Sequence, residues 1–104
     1  MHVQTNTDRN IPASEALEVM VETAVIGALG RFAEQVTRVE VHLTDENGAK
    51  GGVDDKRCLM EARLAGRPPM AVTHQAATLE QAMDGAAAKL ARSVESTLSR
   101  VREY

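Results

Sequence analysis

The side chains best suited to bond-making chemistry in this chain are few and far apart. Cys58 is the only cysteine, and the three histidines, His2, His42 and His74, are scattered. A nucleophilic thiol needs a neighbouring base or cation that favours its thiolate. No base in the sequence is placed to do this for Cys58, which falls on an apolar row and reads as a small core residue. His42 alternates onto a polar row beside Arg38 and Glu40, while His74 ends an apolar row. Zinc-type sites need closely spaced ligands, and none surrounds Cys58 or either histidine. Asp54-Asp55 offers two carboxylates for a cation, but adjacent acids in a loop are ordinarily solvated charge. The stretch Asp45-Glu46-Asn47-Gly48-Ala49-Lys50-Gly51-Gly52 has the glycine content of a phosphate cradle. It lacks the Gly-Lys-Ser/Thr ending, opens no helix and runs into Asp54-Asp55, which repels phosphate, so a hairpin loop is expected. No metal, cofactor or enzymatic activity is expected.

The remaining chemistry is electrostatic. Lys89, Arg92 and Arg100 fall on or beside the outer face of a long C-terminal helical pattern. Arg38, Arg57 and Arg63 alternate onto polar rows of two strand patterns, interleaved with Glu40 and Glu61. The plainest reading of such mixed rows is solvated surface with exposed ion pairs, each worth about 0–1 kcal/mol.

The elements that position these residues are legible from periodicity. Met1 to Thr7 alternates weakly and is expected to form a short strand, closed by Asp8-Arg9-Asn10-Ile11-Pro12. Ser14 is a suitable helix N-cap, with Glu15 and Glu18 in the first turn. Leu17, Val21, Ala24, Val25, Ala28 and Phe32 recur every three or four residues, which predicts an amphipathic helix from Ser14 to about Glu34. From Val36 to Thr44 the period becomes two, with Val39, Val41 and Leu43 on one side. Lys56 to Leu64 alternates again, placing Cys58, Met60, Ala62 and Leu64 together, and Met70, Val72 and His74 continue inward on a further strand. Thr78-Leu79-Glu80-Gln81 is a capping-box pattern. Leu79, Met83, Ala86, Leu90, Val94, Leu98 and Val101 form the apolar stripe of the helix that follows.

This order predicts an α+β domain of two layers, β-α-β-β-β-α, with both helices on one face of a four-stranded sheet. The first two strands are expected to be parallel and the rest antiparallel. The free sheet face, rich in Arg, Glu and His, is expected to meet water.

Size and composition set the outer bounds. A chain of 104 residues and 11.2 kDa fits one domain over residues 1–104. No apolar stretch approaches the roughly 20 residues that span a bilayer, and no charged-then-apolar leader opens the chain. With one cysteine and no sign of export, the expected location is the cytoplasm. Twelve Lys and Arg against fifteen Asp and Glu give a net charge of −3, so any polyanion contact must be local. Phe32 and Tyr104 are the only aromatics, too few for a surface that stacks unpaired bases.

Several strings, taken in order, resemble the short ribosome hibernation-promoting factor and ribosome-associated inhibitor family, also called the sigma-54 modulation protein family. They are Asn10-Ile11 with Ser14-Glu15-Ala16-Leu17, then Gly30-Arg31-Phe32-Ala33-Glu34-Gln35-Val36-Thr37-Arg38-Val39-Glu40-Val41, then Ala82-Met83-Asp84 and Lys89-Leu90-Ala91-Arg92. The resemblance spans nearly the whole chain. It implies the same strand–helix–three-strand–helix order, similar in topology to double-stranded-RNA-binding domains. It also implies a non-catalytic factor that occupies the decoding-side channel of the small ribosomal subunit and silences ribosomes under stress. Lys89 and Arg92 stand where the family places basic residues, and Arg31 is a comparable cation at the end of the first helix. Arg100, Arg38, Arg57 and Arg63 complete the rRNA-binding set expected here, with Lys56 and Arg67 as further strand-side cations. The chain departs from the family pattern in its first helix, where Glu15, Glu18 and Glu22 replace the usual cations, and in Ser96-Thr97-Leu98-Ser99-Arg100, where the family is Lys-rich. The alternative is a protein-interaction or homodimerising module that keeps the fold without binding ribosomes.

Overall fold

The alternating middle of the chain folds as a meander, and the two 3.6-period segments lie across it. The structure, a computed structural model, describes residues 1–46 and 55–102, with side chains as far as residue 100. Its elements are β1 (His2–Thr7), α1 (Glu15–Leu29), a 3-10 turn (Gly30–Phe32), β2 (Val36–Asp45), β3 (Lys56–Leu64), β4 (Met70–Ala76) and α2 (Leu79–Arg102). The expected glycine loop after Glu46 lies outside the described residues, as do Asp54 and the side chain of Val101.

The sheet order is β1-β2-β3-β4. β1 runs parallel to β2, as a strand–helix–strand unit requires. β2–β3 and β3–β4 are antiparallel. One register irregularity occurs between Val36 and Arg38, which pair with the consecutive residues Leu64 and Arg63. The extra residue, Thr37, resets the alternation so that Val36 and Val39 both point into the core.

One face of the sheet carries the core. Val39, Val41 and Leu43 of β2 and Cys58, Met60 and Ala62 of β3 are fully buried against Val21, Val25 and Leu29 of α1 and Ala86, Leu90 and Val94 of α2. Each large side chain so buried contributes roughly 1.5–3 kcal/mol. Both helices therefore lie on the same sheet face, α1 against β1 and α2 against β3 and β4.

The helix starts follow from their caps. Ser14 Oγ accepts from the Leu17 amide at 3.1 Å, and Thr78 Oγ1 accepts from the Gln81 amide at 3.1 Å. The first helix is shorter than its apolar period predicts. It ends at Leu29 and continues as a 3-10 turn, in which the Ala33 amide bonds the Gly30 carbonyl at 3.1 Å. The turn keeps Phe32 on the buried side, so the period outlasts the α-helix.

α2 approaches β4 closely at one point. A Cβ on Gly85 would overlap the ring of His74. His74 is half-buried and packed beneath the helix at Gly85. Glycine is required at this position by proximity, not by backbone angle.

Candidate nucleic-acid interface

The seven cations expected to contact RNA are divided among three places. Lys89, Arg92 and Arg100 lie at i, i+3 and i+11 of α2, which puts them on one strip of the helix. This strip runs beside the β4 edge, because Lys89 Nζ donates to the Thr73 carbonyl at 2.9 Å and Gly85, one turn earlier, faces His74. The ammonium thus covers an outward carbonyl of an edge strand, a position where unpaired backbone groups invite association. Arg92 and Arg100 are exposed and make no ion pair among the described residues.

Arg38, Arg57 and Arg63 lie on the opposite side of the domain, on the free sheet face. Arg38 stands directly across from Arg63, and Glu40 across from Glu61. Like charges in such positions repel, and the pairs relieve this by bridging along their own strands. Arg38 reaches Glu40 at 3.0 Å and also donates to Gln4 Oε1; Arg63 reaches Glu61 at 3.7 Å. His42 lies 3.8 Å from the same Glu40. Arg57, half-buried between Thr44 and Gln75, makes no ion pair among the described residues. Two of the three strand cations are therefore already matched by carboxylates.

Arg31 is separate again. It bridges to Glu95 of α2 at 3.1 Å and stacks over Phe32, 4.7 Å from the ring centre. That pair ties the end of α1 to the later half of α2.

α2 carries a second charged strip. Glu80, Asp84 and Glu95 lie about a third of a turn from the basic one, on the side that faces α1. The long helix thus has an acidic flank toward its partner helix and a basic flank toward the sheet edge. The positions are readable on a helical wheel, but which flank meets which neighbour is set by Gly85 and Lys89.

Asp55 departs from expectation. Expected to be solvated loop charge, it is only 3% exposed, and its Oδ1 accepts from Lys56 Nζ at 2.9 Å. Lys56 also lies 3.4 Å from Asp45, and the Glu46 amide bonds the Asp55 carbonyl at 3.0 Å. Lys56 is therefore a structural clamp between β2 and β3. Its pKa is held above the ordinary lysine value, chiefly by the hydrogen bond to Asp55. Nearby, Asp8 ties the end of β1 to β2 by accepting from the Asn10 and Asp45 amides at 2.9 and 3.1 Å.

Cys58 is fully buried, and burial pushes its thiol up to about 12. Among the described residues, no group of three His, Cys, Asp or Glu is placed to hold a metal ion. No helix among them is long and apolar enough to cross a membrane.

The domain is a two-layer βαβββα fold with a buried core thiol and a strip of cations along one flank of its last helix. The sequence matches the family model described as "Sigma 54 modulation protein / S30EA ribosomal protein" over residues 5–102, and the chain belongs to that family. This is a family of non-catalytic ribosome-associated factors. Among solved structures, the N-terminal domain of Protein Y from Thermus thermophilus is similar, with a TM-score of 0.74 and 23% identity over 93% of this chain and 99% of that one. A ribosomal subunit interface protein from Coxiella burnetii gives a TM-score of 0.71 at 14% identity, over 95% of this chain and 99% of the other. At these identities the likeness concerns the fold. No curated protein matches the sequence.

Proposed function

We propose that this protein is a cytoplasmic ribosome-associated factor that binds small-subunit rRNA and restrains translation under stress. The observation that carries the choice of surface is the basic strip of α2, where Arg92 and Arg100 are exposed and unpaired among the described residues and Lys89 keeps two of its three N–H donors beyond the Thr73 bond. Phosphate contacts require cations in register with a backbone and no base readout. The strip offers three cations on one flank of a helix that packs against the sheet, which supports this reading. Arg57 is the strand cation best able to add to it. Arg38, Arg63 and Arg31 contribute less, since each would first have to leave a carboxylate.

Cosedimentation with ribosomes at two salt concentrations tests the reading. Binding should fall as salt rises, and replacing any one phosphate-binding cation should flatten the salt dependence by about one unit of log–log slope. Lys89→Glu/Arg92→Glu should abolish cosedimentation while circular dichroism shows the fold retained. Unchanged binding by that double variant would remove α2 as the contact surface. Absence of the wild-type protein from ribosomal fractions at low salt would remove the function.

A further inference from the structure

The outward side of α1 is poorly suited to water. Val19 is 61% exposed, Ile26 55% and Met20 40%. Large apolar side chains gathered on one outward strip of a helix commonly mark a surface that something covers, yet only the inner side of α1 meets the core. Beside these residues runs a groove of ≈ 580 Å³ between the two helices, floored by Ala24, Gly27 and Met83 and walled by Met20 and Thr23. Gly27 leaves it open, since a Cβ there would meet nothing within 4 Å.

The rims of this apolar strip are acidic on both sides. Glu15, Glu18 and Glu22 follow one flank of α1 at helical spacing, and Glu80 and Asp84 of α2 line the other bank of the groove. Two rows of carboxylates repel a phosphate backbone. They also oppose a second copy of the chain laid face to face, which would set acid against acid. They complement a helix that presents apolar residues centrally and Lys or Arg at its edges. We infer that the α1–α2 groove docks a cationic amphipathic helix of a protein partner, on a surface separate from the basic strip of α2. This extends the ribosome-associated reading and does not depend on it.

The test uses three synthetic peptides of about 14 residues, four helical turns: an amphipathic Leu/Lys helix, its Leu/Glu counterpart, and a Leu/Lys scramble of the same composition without an apolar face. Binding to the full chain is followed by calorimetry and by methyl NMR. The Leu/Lys helix should bind and shift the Met20 and Met83 methyls, and the other two peptides should not. Gly27→Leu, whose Cβ would enter open space in the groove, should weaken binding by about tenfold or more while circular dichroism shows the fold retained, as should Glu80→Lys/Asp84→Lys. Equal binding of helix and scramble, indifference to both variants, or no binding at all would overturn the inference. So would a concentration-dependent dimer whose contacts cover Met20 and Met83, which would make a second copy the occupant. Because ribosome cosedimentation is read separately, failure here leaves the ribosome proposal standing, and the reverse also holds.

Discussion

The contact between Gly85 and His74 gives a sharp prediction, because one methyl group reverses its sign according to what faces it. In a helix interior alanine is favoured over glycine by about 0.8–1 kcal/mol. At Gly85 the added Cβ would overlap the Cγ, Cδ2 and Nε2 atoms of His74. Forcing a group into a filled space costs about 1–3 kcal/mol. Gly85→Ala should therefore destabilise the wild-type protein by about 0–2 kcal/mol. In a His74→Ala background the methyl has room, and the same change should stabilise by about 1 kcal/mol. The coupling across the four proteins is then about 1–3 kcal/mol, well beyond the roughly 0.5 kcal/mol scatter of independent sites. Urea unfolding followed by circular dichroism measures it, and for a domain of this size 1 kcal/mol moves Tm by roughly 4–8 °C. Additive effects, with Gly85→Ala stabilising in both backgrounds, would refute the wedged ring. The consequence reaches the proposed interface: pushing α2 away from β4 strains the Lys89 bond to the Thr73 carbonyl one turn later.

Two further outcomes follow from the ionisable groups of the interior and its margin. Lys56 is held above its usual 10.5 first by its hydrogen bond to Asp55, against the pull of desolvation and with help from Asp45. A raised folded pKa means its contribution is whole below the unfolded value and is lost as pH rises through the folded one. Urea midpoints should therefore fall on the alkaline side of 10.5, and Asp55→Asn should flatten that limb; identical limbs in both proteins would exclude the clamp. Cys58, with its thiol pushed up to about 12 by burial, should react with a disulfide reagent near neutral pH only as fast as the protein opens. Prompt stoichiometric labelling of the native protein would place that side chain outside the core.

Most of the architecture was legible because period alone determines it. The rows Val39-Val41-Leu43 and Cys58-Met60-Ala62-Leu64 are the buried rows of β2 and β3, and Ser14 and Thr78 are the caps expected of them. The end of α1 was less legible, because a 3-10 turn preserves the apolar phase that marks a helix. The candidate site was legible as residue types but not as a place. Arg31 meets a carboxylate 64 residues away, and no local pattern announces such a pair. Asp55 looked like solvent-facing charge because its partner, the adjacent Lys56, would normally extend into water; only the closing of β2 on β3 buries the carboxylate. Val19 and Ile26 were hidden by the stronger row of Leu17, Val21 and Val25, whose period accounts for the helix without them.

The net charge of −3 set the chain against a polyanion from the outset, and the fold shows why a sum over the whole molecule is the wrong quantity. At physiological ionic strength a charge is felt over about 8 Å, less than the width of a helix with its side chains, about 10–12 Å. Opposite flanks of α2 therefore act almost independently. The acids of the Glu80–Asp84–Glu95 flank are turned toward α1, where Glu95 is matched by Arg31 and the others border the groove. The cations of the Lys89–Arg92–Arg100 flank face away from them, beside an edge strand. On the free sheet face, Arg38 and Arg63 are offset by Glu40 and Glu61, and Arg57 is left without a carboxylate among the described residues. The α2 strip thus holds two exposed cations that no carboxylate offsets among the described residues, and removing Arg92 and Arg100 from it should weaken a phosphate contact more than removing Arg38 and Arg63, although the charge subtracted is the same.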